Sequence, residues 1–238
     1  MTTTTQRLLI IVPCYNEADS LPVLLPVLKQ LQLPGYVVSI VVVNDASADA
    51  TAAIAKKEQV TVLDLPVNLG IGGAMQTGFR YAHVHDFDVA LQLDGDGQHP
   101  PAEISKLLTC YENTQSNIII GSRFLAKEGF QSSFTRRMGI RYFYWLNRFF
   151  TGNAIYDSTS GFRLIDKKVI RKAAAFYPDE YPEPESLVFF ARAGFKITET
   201  PVVMKERDGG QSSIRSFTSV YYMVKVTIAM FFSFIRRH

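Results

Sequence analysis

Two aspartates separated by one glycine, Asp94-Gly95-Asp96, follow directly on an apolar run from Val89 to Leu93. Carboxylates this close repel each other, and a shared cation relieves the repulsion best. Hard oxygen donors of this kind select Mg²⁺ or Mn²⁺. Gln98 stands two residues further on, spaced to turn back as a third oxygen ligand. A solvated turn would account for the glycines but not for the apolar strand that delivers the pair. An EF-hand fails on spacing, since its loop needs Gly at position 6 and Glu at position 12. This chain has His99 and Ser105 there.

Other polar loops end other apolar runs. Asn16 and Glu17 follow Arg7–Val12, and Asn44 and Asp45 follow Val37–Val43. Asp45 could bond a base or ribose, or cap the next helix with its neighbours Ser47 and Asp49. Gly70-Ile71-Gly72-Gly73 is not a dinucleotide fingerprint: the third glycine would fall on Met75, and the motif does not follow the first strand. No phosphate loop ending in Gly-Lys-Ser/Thr is present, which argues against an ATPase. The glycines let a backbone approach a nucleotide or let a helix pack closely, and both readings stand. Cys14 and His99 read as packing or supporting residues, and His83 and His85 as surface.

These loops need a frame. Short apolar runs (Arg7–Val12, Val37–Val43, Val60–Leu65, Val89–Leu93, Ile118–Gly121) alternate with helical segments about every 20 residues. That alternation predicts an α/β fold, a mostly parallel sheet with helices on both faces. In such sheets ligands sit beyond the carboxyl ends of the strands, which is where Glu17, Asp45 and Asp94 fall. Beyond Arg123, Phe134–Phe150 mixes four arginines with aromatics, Asp157–Leu164 reads as a loop entering a strand, and Tyr177–Glu185 is acidic and proline-rich. Ser186–Ala193 reads as a helix and Lys196–Val203 as a strand.

A hydrophobic fraction of 47% with 20% charged residues is that of a globular protein, and a net charge of +3 does not announce a nucleic-acid binder. Two cysteines give neither a disulfide framework nor a zinc site. No basic, apolar leader precedes Arg7, so a cytoplasmic protein is expected. Phe217–Ile235 is apolar with one charge, Lys225, and would make a helix of about 28 Å, borderline for a span. Arg236 and Arg237 beyond it run against the positive-inside tendency, so a helix lying in the interface or docking on a partner is preferred. Phe134–Phe150 is a second candidate for the interface, with ordinary core as the alternative.

Several motifs, taken together, resemble family 2 glycosyltransferases. They are Pro13-Cys14-Tyr15-Asn16-Glu17, Val43-Asn44-Asp45-Ala46-Ser47, Asn68-Leu69-Gly70 with Gly73-Ala74, Asp94-Gly95-Asp96 and Gly121-Ser122-Arg123. Ser160-Gly161-Phe162-Arg163 and Arg207-Asp208-Gly209-Gly210-Gln211-Ser212-Ser213 resemble the second half of the polyprenyl-phosphate sugar synthases, the group of dolichyl-phosphate mannose synthase. The resemblance implies a GT-A fold over residues 1–213, and the apolar segment reads as a membrane-associating or partner-docking helix over 214–238. It implies an inverting, metal-dependent sugar transfer from a nucleotide-sugar to an undecaprenyl-type phosphate for cell-envelope polysaccharide. UDP-sugar stands first as donor, with GDP and dTDP as alternatives.

Residue by residue, the resemblance implies that Pro13, Tyr15, Glu17, Asp45, Gly70 and Asp94 hold the nucleotide. Asp94, Asp96 and Gln98 would hold Mg²⁺ or Mn²⁺. Arg123, Arg163, Arg207 and Ser212 would serve phosphates or acceptor, and Asp157 with Arg163 and Arg207 would complete the catalytic set. A hydroxyl acceptor on a lipid-linked saccharide is the alternative and would need a carboxylate base: Asp157, Glu183 or Glu185. A non-catalytic nucleotide-sugar-binding subunit is the third reading. Expected partners are the membrane surface on its inner face and a small membrane protein or further copies of the chain, with no nucleic acid.

Overall fold

The computed structural model describes residues 5–125, 134–204 and 216–236. In chain order the elements are β1 (Gln6–Cys14), α1 (Leu21–Lys29), β2 (Tyr36–Asn44), α2 (Thr51–Lys57), β3 (Thr61–Asp64), α3 (Gly70–Val84) and β4 (Val89–Gln92). A 3-10 turn then leads into α4 (Ile104–Thr114), followed by β5 (Ile118–Ser122), α5 (Phe134–Thr151), β6 (Arg163–Asp166) and α6 (Lys167–Ala175). The chain continues through α7 (Pro182–Arg192), β7 (Ile197–Pro201) and α8 (Ser216–Ile235).

The strands form one sheet in the order β3-β2-β1-β4-β6-β5-β7. Every pairing is parallel except those of β6, which runs antiparallel to both β4 and β5. Alternation along β1 sorts the core into two layers. Leu9 and Ile11 face α3, α6 and α7, packing with Met75, Phe79, Val169 and Leu187. Leu8, Ile10 and Val12 face α1 and α4, packing with Leu21, Leu25, Ile104 and Leu107. Because both faces of β1 and β4 are covered, Leu8–Val12 and Val89–Leu91 are continuous apolar runs, as a buried parallel sheet requires.

Three elements depart from the sequence expectation. α6 was not anticipated; its start is marked by Asp166, whose carboxylate accepts the Val169 N–H at 2.9 Å. α7 begins inside the acidic proline segment, at Pro182, since a first-turn proline lacks only an N–H that has no helical partner. Glu183 and Glu185 in that turn suit the positive end of the helix dipole. α2 starts only at Thr51, past the Ser47 and Asp49 of the loop: Ala48 N–H donates to Asn16 Oδ1 and Thr51 N–H to Asp49 Oδ1, each at 2.9 Å.

The glycines of α3 act in two ways, and close packing is the expected use that the structure displays. Gly70 takes φ +73, a left-handed conformation that turns the chain into the helix. A Cβ at Gly72 would lie 2.3 Å from Pro178 O, so the loop before α7 sits directly on the helix.

α5, α7 and α8 form a third cluster around Phe143, Phe150, Val188, Val226 and Met230. α8 therefore buries one side and leaves Tyr221, Val224, Ile228, Phe231 and Phe232 exposed, beside Tyr142, Trp145 and Phe149 of α5. Among the described residues no helix is long and apolar enough to cross a membrane.

Where α8 meets α7, Ser233 Oγ donates to Glu185 O and the Arg236 guanidinium lies over Phe176. Burial, and then the carboxylates of Asp179 and Glu180, push the Glu185 carboxyl from 4.5 up to about 7, against the opposing charge of Arg236. Folding therefore favours the protonated form. The stabilisation is complete below pH 4.5 and is lost as pH rises through about 7. The carboxyl is partly exposed, so the effect is about 1 kcal/mol rather than the ~3 of a fully buried group. Thermal midpoints of Glu185→Gln should fall less between pH 4.5 and 7 than those of the parent. An unchanged slope would remove Glu185 as the source.

Candidate active site

The loops after β1 and β2 are stitched together before any ligand arrives. Asn16 N–H donates to Ser47 Oγ at 2.9 Å, Glu17 N–H to Thr51 Oγ1 at 2.8 Å and Ala18 N–H to Asp49 Oδ2 at 3.1 Å. Asn16 and Ala46 are held at positive φ, 57° and 55°, conformations that non-glycine residues adopt at a cost. Asp45 ties in the third loop: its Oδ1 accepts the Leu69 N–H at 2.7 Å, and its own carbonyl accepts from Asn68 Nδ2 at 3.2 Å. At 4% exposure Asp45 thus fixes the start of α3 rather than capping α2.

These loops enclose a cavity of about 190 Å³. Pro13, Cys14, Tyr15 and Glu17 form one wall, Asp45 with Ile71 and Ala74 another, and Asp94-Gly95-Asp96 the third. That volume is below the ~300 Å³ where small-molecule sites begin, so it suits the nucleoside end of a longer ligand. Ile71 and Ala74 carried no chemical signal in the sequence; only the helix pitch brings them to the wall. Gly70 sets the turn one residue before it. A larger cavity of about 710 Å³ lies at the other end of the strands, between the carboxyl end of α1 and the starts of β2 and β3, and holds none of these residues.

Asp94 is held from several sides. Its backbone N–H donates to His99 Nδ1 at 3.3 Å, and its Oδ1 accepts from Gln92 Nε2 at 3.4 Å. His99 is buried and stacks on Phe162, with ring centroids 4.9 Å apart. Burial lowers its pKa, which keeps the imidazole neutral, with Nδ1 free to accept and the proton on Nε2. Burial, with Glu17 and Asp94 next, raises the Cys14 thiol, so it stays an un-ionised part of the wall. Asp96 Oδ1 accepts the Gln98 backbone N–H at 3.0 Å, a local turn that engages the Gln98 backbone.

Among the described residues, no cluster of three or more His, Cys, Asp or Glu is arranged to hold a metal. Two carboxylates opening on a cavity fit a different kind of site. Mg²⁺ and similar ions are commonly held by one or two carboxylates together with substrate phosphates, not by an all-protein cage. The donor set of Asp94 and Asp96 fits that description.

At the end of β5 the structure reassigns Asp157. Its carboxylate takes Arg123 Nε at 2.7 Å, Arg123 Nη2 at 2.6 Å and the Arg123 N–H at 3.0 Å. The Asp157 side chain is fully buried, whereas Arg123 keeps 27% of its side chain exposed. A carboxylate so enclosed and so paired is not placed to take a proton from an acceptor hydroxyl. It orients Arg123, which lies within electrostatic reach of Asp94. Asp157 is itself held by β7, where the Glu199 carboxylate accepts the N–H groups of Tyr156 and Asp157 at 2.8 and 2.7 Å.

Arg163 is corrected as well. Expected on phosphate, it is 5% exposed, and its guanidinium makes four hydrogen bonds to the protein. Nε donates to Ser160 O, Nη2 to Ser158 O, and Nη1 to Glu183 O and Ser186 Oγ, all within 3.0 Å. It pins the 158–162 loop and the start of α7. Arg207 and Ser212 lie outside the described residues.

Glu183, one of three base candidates in the sequence, lies within electrostatic reach of Asp94. Burial, with the Asp94 charge adding to it and Arg163 opposing, raises its pKa, and its side chain bonds Gln92. A Cβ at Gly161 would fall 2.9 and 3.0 Å from the two Asp94 oxygens, so the 158–162 loop packs directly on that carboxylate.

The fold and the family match together define a nucleotide-sugar-dependent glycosyltransferase of GT-A type. The chain belongs to glycosyl transferase family 2, whose sequence pattern matches residues 9–173. It is 29% identical to the polyprenol monophosphomannose synthase of Mycolicibacterium smegmatis, covering 93% of this chain and 86% of that protein. It is 31% identical to the undecaprenyl-phosphate mannosyltransferase of Micrococcus luteus, covering 87% of each. Among solved structures, glucosyl-3-phosphoglycerate synthase of Mycobacterium tuberculosis, crystallised with Mn²⁺, UDP and glucosyl-3-phosphoglycerate, superposes with a TM-score of 0.71. That match covers 96% of this chain and 80% of the other at 15% identity, a likeness of fold.

Proposed function

We propose that this protein transfers a sugar from a nucleoside-diphosphate sugar to a polyprenyl phosphate, working as a peripheral enzyme on the inner face of the cell membrane. The observation that carries the acceptor is the outer surface of α5 and α8. Tyr142, Trp145 and Phe149 are exposed on α5 together with Arg141 and Arg148, beside the apolar face of α8. Arginines reach anionic headgroups while aromatics settle at the acyl boundary. The relatives named for polyprenol- and undecaprenyl-phosphate mannosyl transfer support the same acceptor.

A phosphate monoester has a second pKa near 6 and is already a nucleophile at neutral pH. Its oxygen attacks the anomeric carbon as the bond from that carbon to the diphosphate oxygen breaks. The configuration inverts and the nucleoside diphosphate leaves. Pro13, Asp45, Ile71 and Ala74 hold the nucleoside, and Asp94 and Asp96 would hold Mg²⁺ or Mn²⁺. When bound, that ion neutralises the charge developing on the diphosphate. Arg123, oriented by Asp157, attracts the acceptor phosphate, and no protein base is required.

A hydroxyl acceptor, on a lipid-linked saccharide, is the second reading, and the placement of Glu183 beside Asp94 is what favours it. Purified protein, vesicles carrying undecaprenyl phosphate and labelled UDP- or GDP-sugar with Mn²⁺ should yield a lipid whose label is released by mild acid. Transfer to lipid-linked saccharide alone, collapsing in Glu183→Gln, would replace the first reading with the second.

A further inference from the structure

Gln92 is the misfit of the central sheet. It closes β4 between Leu91 and Leu93, is 2% exposed, and pairs in register with Arg163 across the antiparallel β6. An apolar side chain would suit this layer better, since a buried amide is costly unless both of its ends are bonded. Only one end is. Nε2 donates to Asp94 Oδ1 at 3.4 Å and the side chain also bonds Glu183, while Oε1 has no hydrogen-bond partner among the described residues.

Turned over, the amide would set its oxygen against the Asp94 carboxylate, acceptor against acceptor. As placed, its NH₂ donates to Asp94, and the side chain meets Glu183 as well. Gly161 covers a further side of Asp94, where even a Cβ would touch both carboxylate oxygens and Gln92 Nε2 within 3.0 Å, and the cavity side stays open. Glu183 in turn is anchored through its carbonyl to Arg163 Nη1 at 2.8 Å. A chain of contacts thus runs from the Arg163-pinned frame through Gln92 to the Asp94 carboxylate.

We infer that Gln92 is a positioning residue, holding the Asp94 carboxylate in the orientation that metal and donor diphosphate require. An unsatisfied buried oxygen in a sheet core calls for a reason, and this role supplies one: stability is given up for geometry at the site. The inference rests on the metal-dependent donor site proposed above. It separates function from stability, because a merely structural Gln92 would lose both together.

The test compares the parent with Gln92→Met, which keeps length and removes the donor, and Gln92→Glu, which keeps shape and reverses the interaction. Thermal midpoints and calorimetric affinities are measured with UDP or GDP, each with and without Mn²⁺. The Met variant should keep or raise the ligand-free midpoint and bind uridine or guanosine as the parent does. Its Mn²⁺-dependent affinity for the diphosphate should fall about 10- to 100-fold, the range for groups that orient a metal ligand. Gln92→Glu should fall at least as far. A Met variant with parental Mn²⁺-dependent affinity overturns the inference, as does a lowered ligand-free midpoint with equal losses for nucleoside and diphosphate. A parent showing no Mn²⁺ dependence with either nucleotide overturns the metal site itself, and this inference with it.

Discussion

Asp96→Asn should reduce sugar transfer by more than about a hundredfold, the upper range for groups that merely orient a metal ligand. The substitution is isosteric, so it leaves the wall of the 190 Å³ cavity in place. It can still accept the Gln98 N–H through its amide oxygen. What changes is charge: one of two adjacent carboxylates is neutralised, and a hard cation loses an anionic ligand. Ligand-free stability should hold or rise, because the repulsion between Asp94 and Asp96 disappears. Mn²⁺-dependent stabilisation by nucleoside diphosphate should vanish, as linkage requires when the bound state is lost. Near-parental transfer by Asp96→Asn, at any Mn²⁺ concentration, would remove the acidic pair from the mechanism.

Asp157→Ala should unfold the protein at a markedly lower temperature. It leaves the Arg123 guanidinium without its bidentate partner and the Arg123 N–H without an acceptor. Breaking one side of a buried ion pair costs about 3 kcal/mol or more, because the remaining charge is left uncompensated. For a chain of this size that is a fall of about 6–12 °C in midpoint. The Arg123→Ala/Asp157→Ala double variant should fall less than the sum of the singles, since the pair interacts directly. A different result would restore Asp157 as a base. In that case Asp157→Asn would keep the parental midpoint while the pH profile of transfer lost its acidic limb.

The two corrections at the site have a common origin. Asp157 and Arg163 stand in the motif positions where a resemblance places catalytic groups, and the sequence shows their types but not their partners. Arg163 faces inward because its place on β6, in register with Gln92 of β4, turns its side chain into the frame of α7. That antiparallel pairing is invisible in an alternation of apolar and polar runs, since parallel and antiparallel strands share the same period. The partner of Asp157, Arg123, lies 34 residues away, at the end of the neighbouring β5. No local spacing announces that contact.

Other features were legible. Apolar runs ending in Glu17, Asp45 and Asp94 carried the strands and the rim on which the site lies, because a strand buried on both faces must be apolar and its polar residues collect at its end. The Asp94-Gly95-Asp96 pair carried its chemistry in type and spacing alone. The arginine-aromatic segment of α5 was readable as a helix with an unusual face. Its division into a packed side, with Phe143 and Phe150, and an open side, with Trp145 and Phe149, needed α7 and α8 in place.

By itself, then, the sequence determined the α/β architecture, the rim of the sheet where ligands bind and the acidic pair at its centre. These follow from local periodicity and from the charge of neighbouring residues. Tertiary structure alone decided which polar groups face the ligand and which are consumed inside. Asp157 went to Arg123, Arg163 to four protein oxygens, and Gln92 to the back of Asp94. The physical reason is that a buried charge or amide takes the nearest partner the packing supplies, and those partners come from strands and helices distant in sequence.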